Sequence, residues 1–435
     1  MTLVGKTMKR GDFMKETILN METYRLHIIP TKRFKQIKVR VIFQKPIKKE
    51  EITINNFLGD MLTYSSLKYP SFRELSIAMQ DLYSLDVYYN SSRIGNVFTS
   101  NFVMTFLNSK YTESTMYEES IKFLSELLFH PNVKNNSFDK DSFKIVKEFT
   151  KEEIEGIKDN KKTYATMRML EEMDNTSPRS YRNCGYLDDL NKINPENLYT
   201  YYKKFMNNNK VDIFVCGDVS IEETKNIFSK YFKFSNSNND NVSPYLKVPT
   251  SRSDSNIVIE KDDSKQSKLS IGCYFRDLTD YERKYPTTLY NIILGSGTDS
   301  KFFKDIREKE SLAYYIFSTC NKPDDTMIIS SGINYNDFEK TVELVKVKIE
   351  EMRQGKFTNS DIDKAKKLFQ TSLEEVVDRQ YTLIDVYFAK SILDVDDIKT
   401  RIKMMKKVTK EEIIEVAKKV ELDTIYMLGG EYAED

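Results

Sequence analysis

The sequence predicts an α+β protein of two duplicated domains, each a mostly antiparallel sheet with helices packed on one face. Three observations lead there. A segment rich in Ser, Asn, Asp and Pro, "SNSNNDNVSPYLKVPTSRSDSN" at 235–256, divides the 435 residues into two comparable parts, and the chain is too long for one ordinary core. Each part reads as alternating strands, then helices with apolar residues returning every three or four positions, then a closing strand. The ends of the parts also match: "INPENLYTYYKKFMNNNKVDIFVCGD" and "VTKEEIIEVAKKVELDTIYMLGG" each give a capped helix, a buried strand and a glycine. The expected organisation is a first domain over 1–234, a linker over 235–256 and a second domain over 257–435.

The elements follow in a parallel order. In the first half "IKVRVIFQ" alternates as a strand, a helix covers 54–66, "SFRELSIAMQDLY" opens with Ser71 and Glu74 as a capping box, and "VFTSNFVMTFL" is a strand. In the second half "KLSIGCYFR" places Leu269, Ile271, Cys273 and Phe275 on one face, and "TTLYNIILGS", "SKFFKDIREKE", "LAYYIFSTC" and "TMIISSGI" come after it. The patterns "YEESIKFLSELLF" and "EKTVELVKVKIEEM" are amphipathic helices.

Composition removes several function classes. Sixty-seven basic and sixty-six acidic residues give a net charge of +1, and no basic run stands out, which argues against a nucleic-acid partner. Charged residues at 31% and aromatics at 12% fit sizeable cores under a solvated surface. No run of about 18 apolar residues is present, and the amino terminus lacks the apolar stretch of a secretory signal, so the expectation is no membrane span and a cytoplasmic location. Cys184, Cys216, Cys273 and Cys320 are far apart, which excludes zinc-ribbon spacing and a dense disulfide framework; Cys216 and Cys273, in apolar runs, read as buried free thiols. His27 and His130 are the two histidines, and neither has another nearby to build a histidine-rich metal site or a Ser-His-Asp triad. His130 reads as a helix-end residue before Pro131 and His27 as an ordinary strand residue. "GSGTDSKFF", from Gly295, lacks phosphate-loop spacing and reads as a turn.

The helix at 54–66, "INNFLGDMLTYSS", is the segment that asks for explanation. Ile54, Phe57, Leu58, Met61 and Leu62 form one apolar stripe. The other face carries Asn56, Gly59, Asp60 and Thr63, with a mid-helix glycine that costs about 1 kcal/mol relative to alanine.

From about Lys38 to Gly430 the chain resembles the pitrilysin (insulinase) family of zinc peptidases, built from duplicated α+β units of the LuxS/MPP-like metalloprotease fold. In active members the first helix carries H-x-x-E-H, where two histidines one turn apart hold zinc and the glutamate polarises water. Laying "NFLGDML" under "HFLEHML" puts Asn56 and Asp60 at the histidine positions and Gly59 at the glutamate. The resemblance therefore implies that ligands and base are gone, the base alone being worth about 10²- to 10⁴-fold. The family's downstream glutamate ligand falls on Glu153 in "FTKEEIEGIKD"; "QTSLEEVVDRQ" repeats a glutamate pair, Glu374 and Glu375, in the second half, which a solvated helix face also explains. The family's arginine and tyrosine that hold substrate backbone fall on Arg307 and Tyr314 in "IREKESLAYYIF", residues that would otherwise simply end a helix and start a strand. "TYATMRMLEEM" and "GYLDDLNKINPENLYTYYKKF" are similar to a bacterial subgroup that lacks the metal motif, is associated with aminopentanol modification of elongation factor P, and is normally paired with an active relative.

The resemblance implies a non-catalytic subunit of a heteromeric peptidase. The active partner would bring zinc and base, while this chain, with no cofactor or catalytic residue of its own, would supply part of a chamber and bind a peptide or small protein through Arg307 and Tyr314. Self-association without the partner stays open. The alternatives are a stand-alone zinc peptidase with a displaced metal site, for instance Asp60 with Glu153, and a purely structural protein like the family's core subunits of respiratory complexes.

Overall fold

The computed structural model describes residues 15–235 and 242–430; residues 1–14, 236–241 and 431–435, which include part of the expected linker, lie outside the described residues. The chain forms two compact units. The first comprises the chain up to Glu155, Asn183–Ser243 and Glu374–Ile392, and the second Gly156–Arg182, Pro244–Leu373 and the chain from Leu393 onward. Relative to a single cut at 235–256, each half thus lends one helical segment to the other unit.

The sheet of the first unit is built from β1 (Thr17–Asn20), β2 (Arg25–Pro30), β3 (Gln36–Pro46), β4 (Asp86–Ile94), β5 (Val97–Leu107) and, after a short ribbon of β6 (Val133–Lys134) and β7 (Ser137–Phe138), β8 (Lys210–Gly217). Its order is β1-β2-β8-β3-β5-β4, with β2 and β8 parallel and the other neighbours antiparallel. One face is covered by α1 (Lys49–Tyr64), α2 (Phe72–Asp81), α3 (Met116–Phe129) and α4 (Lys140–Glu155). The core there joins Val41, Phe43 and Phe102 of the sheet to Phe57, Leu58, Met61 and Leu62 of α1. Each such side chain contributes roughly 1.5–3 kcal/mol by leaving water. The capping box of Ser71 and Glu74 forms, and His130 caps the end of α3.

The helix Gln380–Leu393 covers the other face, where Leu383, Ile384 and Phe388 pack on Ile29, Ile42 and Phe214. This second cover explains why β3 is buried continuously from Val39 to Gln44 although its sequence alternates. Beside that apolar patch lies a buried ionic cluster centred on His27. Its Nδ1 is 2.7 Å from Glu16 and its Nε2 3.2 Å from Asp212, and its ring stacks on Phe214 at 4.2 Å. Asp212 also accepts from Arg25, at 2.6 and 2.7 Å, and from Gln44 at 2.6 Å. His27 is therefore no ordinary strand residue. The local pattern shows one polar residue in an apolar run, and its partner Asp212 lies 185 residues away.

The second unit repeats the design with β9 (Asn256–Glu260), β10 (Ser267–Phe275), β11 (Ala313–Asn321), β12 (Thr326–Ile333) and β13 (Val420–Leu428), in the order β11-β12-β10-β13-β9. Only β13 with β9 is parallel. Leu269, Ile271, Cys273 and Phe275 are all buried, Phe275 meeting Tyr290 of the helix Pro286–Gly295 edge-on at 6.0 Å. On the opposite face α5 (Lys161–Met173) lays Met169 and Met173 over the sheet. Gly272 makes room for them, since a Cβ there would stand 2.6 Å from both sulfur atoms. The duplication extends to the helix breaks: α4 runs into a 3₁₀ turn at Gly156–Lys158, and the helix Asn359–Glu375 into one at Val376–Asp378.

The His27 cluster makes stability depend on pH. Burial alone would lower its pKa, but the hydrogen bonds to Asp212 and Glu16 outweigh burial and raise it above 6.5. A raised histidine contributes its full stabilisation below its unfolded value and loses it as pH climbs through the folded one. The melting temperature should therefore fall as pH rises above 6.5, and His27→Gln should lower it at pH 6 and flatten the fall. An unflattened profile in that variant would contradict the assignment.

Candidate functional site

Asn55 ties α1 to the sheet. The helix begins at Lys49, ahead of the expected 54, with Glu50 and Glu51 in its first turn where the helix dipole favours them, and it stops at Tyr64 because Ser65 is extended. Four of the five predicted apolar residues are buried, and Ile54 is partly so. Asn55 is saturated: its amide donates to Ser100 Oγ at 2.5 Å and Tyr89 OH at 3.0 Å, and its carbonyl accepts from Tyr201 OH at 3.1 Å. Lys45 in turn donates to Tyr201 OH and, at 2.7 Å, to Glu51, which also accepts from Lys204 at 2.8 Å. Burial would raise the Glu51 pKa, yet the two lysines hold it at about 2.

Each degenerate motif position has its own surroundings. Asn56, 9% exposed, donates to the backbone oxygen of Asn183 at 2.6 Å. One turn back, Thr53 accepts from Tyr186 N at 2.9 Å, so α1 clamps the 183–186 loop. Gly185 lets that loop close, with φ +88° and a Cβ position only 2.5 Å from Thr53 Oγ1. At Gly59 a Cβ would stand 2.4 Å from three ring atoms of Tyr89. The Tyr89 ring therefore occupies the space into which a glutamate at this position would project, and its hydroxyl is held by Asn55. Asp60 is different, because among the described residues its carboxylate has neither hydrogen bond nor ion pair. Burial, with Glu153 adding like charge, pushes its pKa from 3.8 to about 7.

Asp60 and Glu153 line a hollow of about 490 Å³ whose walls include Tyr64, Phe72, Tyr88 and Phe149. Matching the two helix breaks puts Leu373, buried, level with Glu153, and Phe369 level with Phe149. Glu374 and Glu375 then correspond to Ile154 and Glu155, so the second half does not repeat Glu153 at its own position. Zinc does not fit these residues. Tetrahedral zinc needs three protein ligands and a base, Asn56 is committed to Asn183, and Gly59 offers no base. Among the described residues no group of three His, Cys, Asp or Glu is placed to hold a metal ion.

Arg307 and Tyr314 lie in the second unit, on irregular backbone. Arg307 is exposed on a helix, Phe302–Lys309, wound in the π form, with Glu310 N bonded back to Asp305 O at 3.2 Å. Its guanidinium sits 4.8 Å from the centre of the Phe303 ring and has no carboxylate partner among the described residues. Tyr314 is the extra residue of a bulge between Ala313 and Tyr315 on the edge strand β11. It is 57% exposed, and its hydroxyl donates to Asn334 Oδ1 at 3.1 Å. π turns and bulges re-aim side chains and recur at functional sites.

The pattern of α1 signals that something approaches Gly59 closely, but it does not name Tyr89, which stands in a strand thirty residues on. The groove aromatics Phe72 and Phe149 were equally hidden, because one begins a capped helix and the other sits on an amphipathic one.

Comparison with known proteins places the chain beside inactive-type peptidases. The family model described as "Peptidase M16 inactive domain" matches residues 192–369. The chain is 27% identical over 412 residues to "Probable inactive metalloprotease YmfF" of Bacillus subtilis, covering 93% of this chain and 95% of that protein. A conserved protein from Enterococcus faecalis V583 has a crystal structure similar at TM-score 0.87 and 27% identity, covering 97% of this chain and all of that one (100%). A protease from Helicobacter pylori shares the fold, at TM-score 0.78 and 15% identity over 96% of this chain and 100% of that chain. Fold and site together define an inactive-type peptidase homologue. The chain is similar to the pitrilysin-type, or M16, peptidases described as inactive, and it lacks the H-x-x-E-H motif.

The Gly59–Tyr89 contact can be measured by a double-mutant cycle. Gly59→Ala gains about 1 kcal/mol of helix propensity but overpacks against the ring, at a cost of roughly 1–3 kcal/mol. It should lower the denaturation midpoint in the wild type and raise it in a Tyr89→Ala background. The same sign in both backgrounds would rule the contact out.

Proposed function

We propose that this chain is the non-catalytic subunit of a heteromeric pitrilysin-family peptidase, contributing chamber wall and peptide binding to an active partner. The observation that carries the reading is the contrast between two sets of polar groups. Those of α1 are mostly committed to internal bonds, whereas Arg307 and Tyr314 are exposed, on backbone that turns them outward. An exposed guanidinium and phenol can hold peptide carbonyls without reading side chains. Zinc and the glutamate base belong to the partner in this reading, and the substrate is a peptide or small protein. A cytoplasmic setting is part of the same proposal, supported by the buried thiols Cys216 and Cys273, neither of which is in a disulfide. Among the described residues no helix is long and apolar enough to cross a membrane.

Three outcomes test the proposal. The isolated chain should hold no stoichiometric zinc, and one tightly held equivalent found by metal analysis would favour a stand-alone peptidase. Co-purification from the native host should recover an active relative, and cleavage should require both chains. Arg307→Ala and Tyr314→Ala should each lower kcat/KM of the pair by about 10- to 100-fold with assembly intact; unchanged rates in both would remove the assigned role.

A further inference from the structure

The hollow beside α1 has a chemistry of its own. Its rim leaves Phe72 50% and Phe149 58% exposed, and Tyr64 stacks on Phe72 at 5.4 Å. Large aromatic side chains left half-uncovered around one concavity characterise binding surfaces. Two carboxylates, Asp60 and Glu153, line the same hollow, and no basic residue does. Elsewhere in this unit, carboxylates withdrawn from water are answered by cations: the part-buried Glu51 by Lys45 and Lys204, the buried Asp212 by Arg25 and His27. Asp60 has no such partner among the described residues. An unanswered carboxylate in a partly desolvated place is unfavourable, and an incoming cation removes that penalty.

We propose that this hollow binds an arginine or lysine side chain of an extended peptide, its cation answered by Asp60 and Glu153 and its alkyl stem lying against Phe72, Phe149 and Tyr88. Long basic side chains bury apolar stems while keeping the charge paired, and aromatic faces attract cations. Val87, Tyr88 and Tyr89 belong to β4, whose outer edge pairs with no further strand among the described residues, so a peptide main chain could add there. The inference rests on the peptide-binding reading only for the kind of molecule that bears the side chain. It requires no partner subunit and neither Arg307 nor Tyr314.

Calorimetric titration of the isolated full chain tests it, using a blocked pentapeptide with one central arginine and the same peptide carrying lysine, citrulline or norleucine. The two charged peptides should bind about tenfold or more tighter than the neutral ones, and their ratio tells arginine from lysine. Glu153→Gln, at an exposed position, and Asp60→Asn should each shrink that preference while melting stays cooperative. Equal binding of arginine and citrulline peptides, no binding of any peptide, or an undiminished preference in both variants would overturn the proposal. Stoichiometric uptake of zinc alone that blocks the arginine peptide would overturn it in favour of a metal site. Failure here leaves cleavage by the assembled pair untouched, and failure there leaves this titration unchanged.

Discussion

The rest of the first unit's site depends on one contact, the ring of Tyr89 against the bare backbone of Gly59. Without a side chain at 59, α1 can approach β4 closely enough for the ring to lie against the helix, and any Cβ would meet it at 2.4 Å. The glycine's propensity cost of about 1 kcal/mol is thus offset by a packing arrangement that no other residue allows. The contact also fixes where the Tyr89 hydroxyl goes. From it runs the chain of bonds through Asn55, Tyr201, Lys45 and Glu51 that ties helix to sheet.

That chain accounts for how a helix without zinc ligands keeps its place. In an active homologue, metal coordination would help fix the orientation of this helix. Here the orientation of α1 is held by hydrogen bonds, each worth about 1 kcal/mol when satisfied and more to disrupt than to make. Asn56 has become a clamp for the 183–186 loop, and Gly59 a seat for an aromatic ring. Asp60 faces the hollow with neither hydrogen bond nor ion pair among the described residues.

Much of the fold was legible because it rests on local periodicity. The strands at 97–107 and 326–333 coincide with their apolar patterns to the residue, and the capping box at Ser71 and Glu74 forms as written. Long-range information was not legible. No local pattern tells which sheet α5 or Gln380–Leu393 covers, so the exchange between units could not be read. His27 met the eye as a lone polar residue because Asp212 and Glu16 come from elsewhere in the chain. Of the site, Asn56, Gly59, Asp60, Arg307 and Tyr314 could be found by motif spacing, whereas Tyr89 and the π winding around Arg307 depend on packing and strain that no local pattern encodes.

The central claim is that α1 is held by packing that excludes the lost chemistry, beyond merely lacking its side chains. The most direct measurement is zinc stoichiometry, with melting temperature, of a variant combining Asn56→His, Gly59→Glu and Asp60→His, prepared with Tyr89 intact and with Tyr89→Ala. With Tyr89 in place, the restored motif should melt well below wild type and take up less than one equivalent of zinc, and Tyr89→Ala should recover both stability and metal binding. A restored motif that binds one equivalent and melts like wild type with Tyr89 still present would contradict the account.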